Sequence, residues 1–329
     1  MKATASNSPL VSVCIPTFNR AGMLRECIDS VLQQTLTDYE IIVSDNASED
    51  STESVVKSFK DKRIRYYRND RNLGIRNNWE RCLELATGEF ITIFPDDDIM
   101  MPNNLVKKAD YLAANPSVGL VHSKYHVING DGEIVIYDTN WKHSADRTTD
   151  AIESKVDMLT ADGNTINAPT VMFRKECYTR LGGFSDKLSY AIDWEYWMRI
   201  AVYYDVAFLA TPLVKWREHD GRLTTKDLDT DHVRKLNEDL SAKKLIVDKH
   251  ILALENGGHL RRLMWQQMSN RLAHLMDTMT NEHHRKSDAR HLGIKMCLKY
   301  PELAFSRRIL KSFLKTVLTR KIIDIVKVH

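Results

Sequence analysis

The first hundred residues alternate between two hydrophobic periods. Leu10 to Thr17 is a continuous apolar run that predicts a strand ending at Pro16, and Tyr39 to Ser44 predicts a second strand ending at Asp45-Asn46. Arg63 to Tyr67 predicts a third, and Phe90 to Phe94 a fourth. Between them the period changes to that of a helix. Leu24, Cys27, Ile28, Val31 and Leu32 share one face of a predicted helix over Ala21–Gln34. A second helix is expected from Ser51 to Phe59, capped by Asp50, and a third from Ile75 to Ala86. Further on, Val118–Ile128 and Glu133–Tyr137 read as strands around the turn Asn129-Gly130-Asp131-Gly132. Thr170–Arg174 and Val206–Thr211 read as two more, and from about Thr230 the pattern is helical.

Four strand–helix alternations imply an α/β fold with a mostly parallel central sheet flanked by helices. In such sheets a ligand lies beyond the carboxyl ends of the strands. Three polar segments fall there: Pro16-Thr17-Phe18-Asn19-Arg20, Asp45-Asn46-Ala47-Ser48 and Asp96-Asp97-Asp98. The acidic triplet follows a buried strand, where unpaired carboxylates repel and lose hydration. A hard divalent cation that also meets phosphate oxygens would compensate them. An acidic turn leading into a helix near Asn103 is the other reading of the triplet alone.

Taken together the motifs resemble family 2 glycosyltransferases of the A-type fold, of the kind that build bacterial surface polysaccharide. The resemblance runs over about residues 8 to 220. It rests on Val13-Cys14-Ile15-Pro16-Thr17-Phe18-Asn19-Arg20, on Ile42 to Thr52, on Asn72-Leu73-Gly74-Ile75, on Ala86 to Ile91 and on the acidic triplet. Further on, Leu181-Gly182-Gly183-Phe184 and Ala191 to Arg199 resemble the family's Gly-Gly-Phe segment and acidic helix start. Two positions depart from the pattern. Pro95 and Ile192 stand where the family usually carries acids.

The resemblance implies an inverting, metal-dependent transferase using Mn2+ or Mg2+. The donor would be a nucleoside diphosphate sugar, with UDP-sugar favoured, and the acceptor a saccharide or a lipid-linked glycan. It assigns Asp193 as the catalytic base, taking a proton from the attacking hydroxyl. Pro16, Thr17, Asn19, Arg20, Asp45, Asp96, Asp97 and Arg217 are expected to bind the nucleotide sugar. Pro16 and Thr17 would form a rigid turn against the base, Asp45 would meet its edge, and Arg217 would pair with phosphate oxygens. Asp98 and His219 are expected to hold the metal. Glu195 and Arg199, four apart on a helix, read as an ion pair, and the aromatics around Asp193 suit sugar rings. The competing classes are a nucleotidyltransferase, which lacks support because no Gly- and Lys-containing phosphate loop follows Thr17, and a non-catalytic nucleotide-sugar-binding protein of the same fold.

Residues 1–120 are expected to form the nucleotide half and 121–225 the acceptor half of one domain, with 226–329 a helical region. A polar run from Thr139 to Asp150 reads as a mobile loop by the acceptor entrance. The five cysteines are scattered without metal spacing, which points to reduced thiols and a cytoplasmic protein. The polar first nine residues do not resemble a signal peptide, and no apolar run is long enough to span a membrane. The net charge of +3 is asymmetric: Arg285 to His329 carry twelve Lys and Arg against three acids, leaving −6 for the rest. Within that tail Leu310, Phe313, Leu314, Val317 and Leu318 fall on one predicted helix face, with Arg308, Lys311 and Lys315 opposite. Such a helix can lie on an anionic membrane, at its inner face, or pack on the protein. No nucleic-acid partner is expected, because the basic residues are not interleaved with aromatics. Oligomeric state is left open.

Overall fold

The computed structural model describes residues 8–137, 145–149, 157–158, 161, 164–219, 232–252, 254, 257–281 and 286–317. They belong to two compact units, one within Met1–Lys155 and Thr165–Lys226, the other within Val156–Asn164 and Asp227–His329.

The first unit is built on one mixed sheet. Its strands are β1 (Val11–Thr17), β2 (Tyr39–Asp45), β3 (Ile64–Arg68), β4 (Phe90–Ile93), β5 (Ile99–Met100), β6 (Val118–Ile128), β7 (Ile134–Ile136), β8 (Arg147–Thr149), β9 (Met172–Arg174) and β10 (Asp205–Arg217). The order across the sheet is β3-β2-β1-β4-β9-β6-β10-β5, with β7 on β6 and β8 on β10. Neighbours β3, β2, β1 and β4 pair in parallel, as do β6 and β10; β9 runs antiparallel between β4 and β6. Every residue of β1, β2 and β4 is buried. That explains why these strands read as unbroken apolar runs rather than alternating ones. Helices α1 (Ala21–Leu32), α2 (Thr52–Ser58), α3 (Ile75–Leu85), α4 (Asn104–Ala114), α5 (Lys175–Leu181) and α6 (Ile192–Tyr203) complete the unit.

The chain leaves β1 to build β2 and β3 on one side, then returns to place β4 on the other. The order therefore reverses between β1 and β4, which opens a crevice beyond their carboxyl ends. Three segments differ from the sequence expectation. Pro16 and Thr17 are the last two residues of β1, paired with Ser44 and Asp45, rather than a turn. β4 pairs with β1 only as far as Cys14, so the N–H that Pro16 lacks falls where no partner strand needs it. β10 runs through Pro212 to Arg217 instead of ending at Thr211, because the irregularity at the proline shifts the register without breaking the pairing. Most of the polar run Thr139–Asp150 lies outside the described residues, but Arg147–Thr149 within it is strand β8.

The second unit is helical: α7 (His232–Ile246), a π-turn over Val247–Ile251, α8 (Gly257–Asn281), α9 (Lys286–Lys299), a 3-10 turn over Pro301–Phe305 and α10 (Arg307–Val317). α10 packs inward through Ile309, Ser312 and Thr316. Ser312 Oγ donates to Ala273 O at 3.4 Å, and Lys315 Nζ meets Asp277 at 2.7 Å. Phe313 lies against Gly293 of α9, where an added Cβ would stand 2.6 Å from the ring. The expected single apolar face is thereby split: Phe313 packs on the unit, whereas Leu310 and Leu314 are exposed. Leu318 lies outside the described residues. No helix among the described residues is long and apolar enough to cross a membrane.

Candidate active site

The ends of β1 and β2 are tied to each other before any ligand arrives. Asn46 N donates to Thr17 O at 2.9 Å. Asn19 N donates to Ser48 Oγ (2.9 Å) and Asn19 Oδ1 accepts Glu49 N (2.7 Å). Asn19 and Ala47 both sit at positive φ, +53° and +66°. Asn tolerates that region; Ala47 pays roughly 1 kcal/mol of strain for it. Asp45 is fully buried; its Oδ1 accepts Ser48 N (2.9 Å) and its Oδ2 accepts the Tyr66 hydroxyl (2.5 Å). Asp45 is thus oriented by Tyr66, a residue of β3 that the sequence pattern reads only as a strand residue. Asp50 joins the two helices that leave these strands. One of its oxygens accepts Ala21 N at the start of α1, and the other accepts Thr52 N at the start of α2, each at 3.0 Å.

The acidic triplet lies between β4 and β5, and all three carboxylates are buried. Arg20 Nη1 bridges Asp96 Oδ1 (3.0 Å) and Asp97 Oδ2 (2.6 Å). His219 Nε2 lies 3.3 Å from the same Asp97 oxygen. Asp98 Oδ1 accepts the backbone N–H of Arg217 at 2.8 Å. His219, expected with Asp98 to hold the metal, thus lies beside Asp97.

Arg217 is expected to reach phosphate, yet its side chain is 1% exposed and committed elsewhere. Nε donates to Asp97 O (2.8 Å), Nη1 to Gly130 O (2.8 Å) and Nη2 to Glu26 (2.5 Å). Its place at the end of the extended β10, beneath the triplet, is the cause. Arg217 holds the triplet's backbone and leaves no guanidinium face for a ligand.

Burial sets the electrostatics of this cluster. Desolvation and the charge of Asp97 push Asp96 up to about 6, with Arg20 offsetting part of the rise. Burial would also raise Asp97, but the His219 hydrogen bond and the Arg20 charge hold it below the ordinary carboxylate range. Among the described residues no three His, Cys, Asp or Glu side chains converge closely enough to enclose a metal ion. Asp97 and His219 nevertheless offer the oxygen and imidazole donors that Mn2+ accepts. Asp96 Oδ2 is buried without a well-formed hydrogen bond. A set completed by diphosphate oxygens and water is the usual arrangement for a phosphate-bound divalent ion. The residues present therefore fit such an ion as partial ligands.

Asp193 is in the first turn of α6, half-buried, and its Oδ1 accepts Trp194 N at 2.7 Å. Trp194 and Trp197 are fully buried, and Trp197 packs on Phe173 and Tyr196 at centroid distances of 5.7 and 5.5 Å. These rings form core, not a sugar platform, because α6 is enclosed on nearly all sides.

What the sequence does not reveal is how firmly the Gly-Gly-Phe loop before α6 is held. The Glu195–Arg199 pair forms at 2.8 Å, and Arg199 also donates to Leu181 O (2.7 Å) and Gly183 O (2.6 Å). From α3, Glu80 accepts Phe184 N (2.8 Å) and Arg76 donates to Phe184 O (2.5 Å). A Cβ at Gly183 would come within 2.0 Å of the Glu80 carboxylate, so a side chain there would have to displace Glu80 from Phe184 N. Arg76 and Glu80 are four apart on α3 and reach the loop together.

Comparison with known proteins adds an independent line. The model of glycosyl transferase family 2 matches residues 12–174. An uncharacterized glycosyltransferase of Methanocaldococcus jannaschii is 31% identical over 216 residues, 64% of this chain and 71% of that protein. A GalNAc(5)-diNAcBac-PP-undecaprenol beta-1,3-glucosyltransferase of Campylobacter jejuni is 41% identical over 108 residues, 31% of this chain and 35% of that one. Among solved structures, S. aureus TarS 1-349 in complex with UDP-GlcNAc aligns with a TM-score of 0.63 at 16% identity, covering 92% of this chain and 89% of that one. The mannosyltransferase PcManGT of Pyrobaculum calidifontis, in complex with GDP-Man and Mn2+, aligns at a TM-score of 0.55 and 19% identity, over 94% and 86% of the two chains. At those identities the likeness speaks to the fold, which is the glycosyltransferase A-type.

Proposed function

The chain belongs to glycosyl transferase family 2, and from that premise we propose that it transfers one sugar, with inversion, from a nucleoside diphosphate sugar to a saccharide or lipid-linked acceptor. The observation that carries this is the meeting of Asp96, Asp97, Arg20 and His219 in the crevice between β1 and β4. Like charges crowded in a buried place are costly. A nucleotide diphosphate arriving with a cation would relieve that cost. A uridine donor is the first choice, since TarS is seen with UDP-GlcNAc, while PcManGT is seen with GDP-Man. A lipid-linked acceptor is favoured by the undecaprenol-linked glycan in the Campylobacter relative's name. With such an acceptor the enzyme works at the inner face of a membrane.

In this reading Asp45, oriented by Tyr66, meets the base, with Pro16, Thr17 and Asn19 shaping the floor beneath it. Asp96 and Arg20 meet the ribose and its phosphate side. Asp97 and His219 would hold Mn2+ or Mg2+, with Asp98 beside them; when bound, the ion neutralises the departing diphosphate. Arg217 acts by positioning the triplet. Asp193 takes the proton of the acceptor hydroxyl as that oxygen bonds to the anomeric carbon. The bond from that carbon to the diphosphate oxygen breaks at the same time, and the nucleoside diphosphate leaves with the electron pair. The clamp of Arg76, Glu80 and Arg199 fixes the loop that leads into Asp193's helix.

The test is turnover with a panel of nucleoside diphosphate sugars, reading nucleotide release and the anomeric configuration of the product. Asp193→Asn should lower kcat by roughly 10²–10⁴-fold with the donor KM unchanged. Retained turnover in that variant, or a product with the donor's configuration, would contradict the assignment.

A further inference from the structure

We propose that α9, the turn after it and α10 form a docking surface for an anionic lipid bilayer. The proposal rests on the lipid-linked acceptor above for its purpose, and on the helical unit alone for its geometry. Leu298 is 78% exposed, Phe305 89% and Leu310 60%, with Ile294 and Leu314 about half-exposed. Ile294 and Leu298 lie one turn apart on α9, as do Leu310 and Leu314 on α10, so each pair forms a ridge on its helix. The two helices are packed together where Phe313 meets Gly293, and Phe305 lies in the turn that joins them. The inward side of α10 is already filled by Ile309, Ser312 and Thr316. The exposed leucines are therefore a second apolar surface, not an unfinished core contact.

Charge decides what occupies it. From Lys286 to Val317 there are eight Lys and Arg against two acids, and one of those acids, Glu302, is bonded to Arg261 at 3.0 Å. Arg307 shares a helix face with Leu310 and Leu314, and Arg290 shares one with Ile294. A symmetric contact with a second copy would set this basic patch against itself. Interface cores are also depleted in lysine. An anionic bilayer satisfies both features at once. The apolar side chains enter the headgroup boundary while the basic side chains meet lipid phosphates.

The experiment is co-sedimentation of the full chain with vesicles of phosphatidylglycerol and phosphatidylcholine, and with phosphatidylcholine alone. Binding should be at least tenfold stronger to the anionic vesicles and should weaken with added salt. Leu298→Ser with Phe305→Ser should lower the partition at least tenfold, as should Arg290→Glu with Arg307→Glu. All four positions are exposed, so thermal melting should be unchanged and confirms folding. Absence of binding to anionic vesicles at low salt would overturn the proposal. So would binding indifferent to the apolar pair, or apolar variants that instead dissociate a dimer in solution. Nucleotide binding by calorimetry is read in the same samples. Its absence in the parent chain would count against the donor site while leaving the vesicle result to stand by itself.

Discussion

The two ends of the central sheet treat buried carboxylates in opposite ways. At the amino end, Glu40 of β2 has a donor for each need: Ser12 Oγ (2.7 Å), Thr87 N (2.8 Å), Thr87 Oγ1 (2.6 Å) and Arg65 (2.5 Å). Burial alone would raise its pKa, but those bonds hold it below the usual range. At the carboxyl end, three adjacent acids crowd together and burial pushes Asp96 up to about 6. The first end is solved by fixed protein donors and serves stability. The second keeps charge that the fold only partly compensates, which is how a site prepared for a cationic or phosphate-bearing partner differs from a structural network.

A third buried charge sharpens the contrast from outside either end. Lys108 of α4 is fully buried, and its Nζ has no hydrogen-bond partner among the described residues. Burial lowers its pKa to about 7. Its amine is neutral in the fold above that value, whereas in the unfolded chain it stays charged to about 10.4. Stability therefore rises with pH from about 7 to about 10. Lys108→Met should stabilise by on the order of 4 kcal/mol at pH 7 and flatten that rise, as measured by urea unfolding across pH. A fold indifferent to the substitution would show that the amine finds water or a partner.

Neutralising one acid at each end should move stability in opposite directions. Glu40→Gln should cost about 1–3 kcal/mol, because donors are left facing an amide, with turnover of the folded enzyme retained. The contribution of Glu40 is complete above about pH 4.3 and is lost as pH falls through its lowered folded value. Asp96→Asn should add about 1–3 kcal/mol at pH 7 while lowering donor affinity. Asp96 is raised, so its cost is absent in acid and grows as pH climbs from about 4 to about 6. Thermal melts of both variants at pH 4 and pH 7 read the two signs. The smallest effect is at Ala47. Ala47→Gly removes the strain at φ +66°, and its gain is set against the entropy of glycine, so melting should change by no more than about 1 kcal/mol.

The sheet was legible because β1, β2 and β4 are buried on both faces and write themselves as unbroken apolar runs. The segments that end those strands could be placed together from topology alone. What could not be read was which side chain meets which. The strand through Pro212 carries Arg217 under the triplet, and no local pattern announces that a proline will be bridged. His219, two residues beyond the end of that same strand, is set beside Asp97. Trp194 and Trp197 look like sugar platforms in one dimension, yet both are buried in α6. The clamp of Arg76 and Glu80 on Phe184 joins residues more than a hundred positions apart, beyond the reach of any helix or strand period. The charge asymmetry of the tail was plain in the sequence, whereas the split of its apolar residues between an inward and an outward face needed the packing of α9 on α10.

The central claim is that the carboxyl-end acids are kept for a nucleotide and its cation. Calorimetric titration of UDP and GDP, each with and without Mn2+, into the parent chain, Asp97→Asn and Glu40→Gln tests it most directly. One nucleotide should bind only with the ion, tightly in the parent and in Glu40→Gln, and at least a hundredfold more weakly in Asp97→Asn. Binding that ignores the ion, or survives intact in Asp97→Asn, would contradict the account.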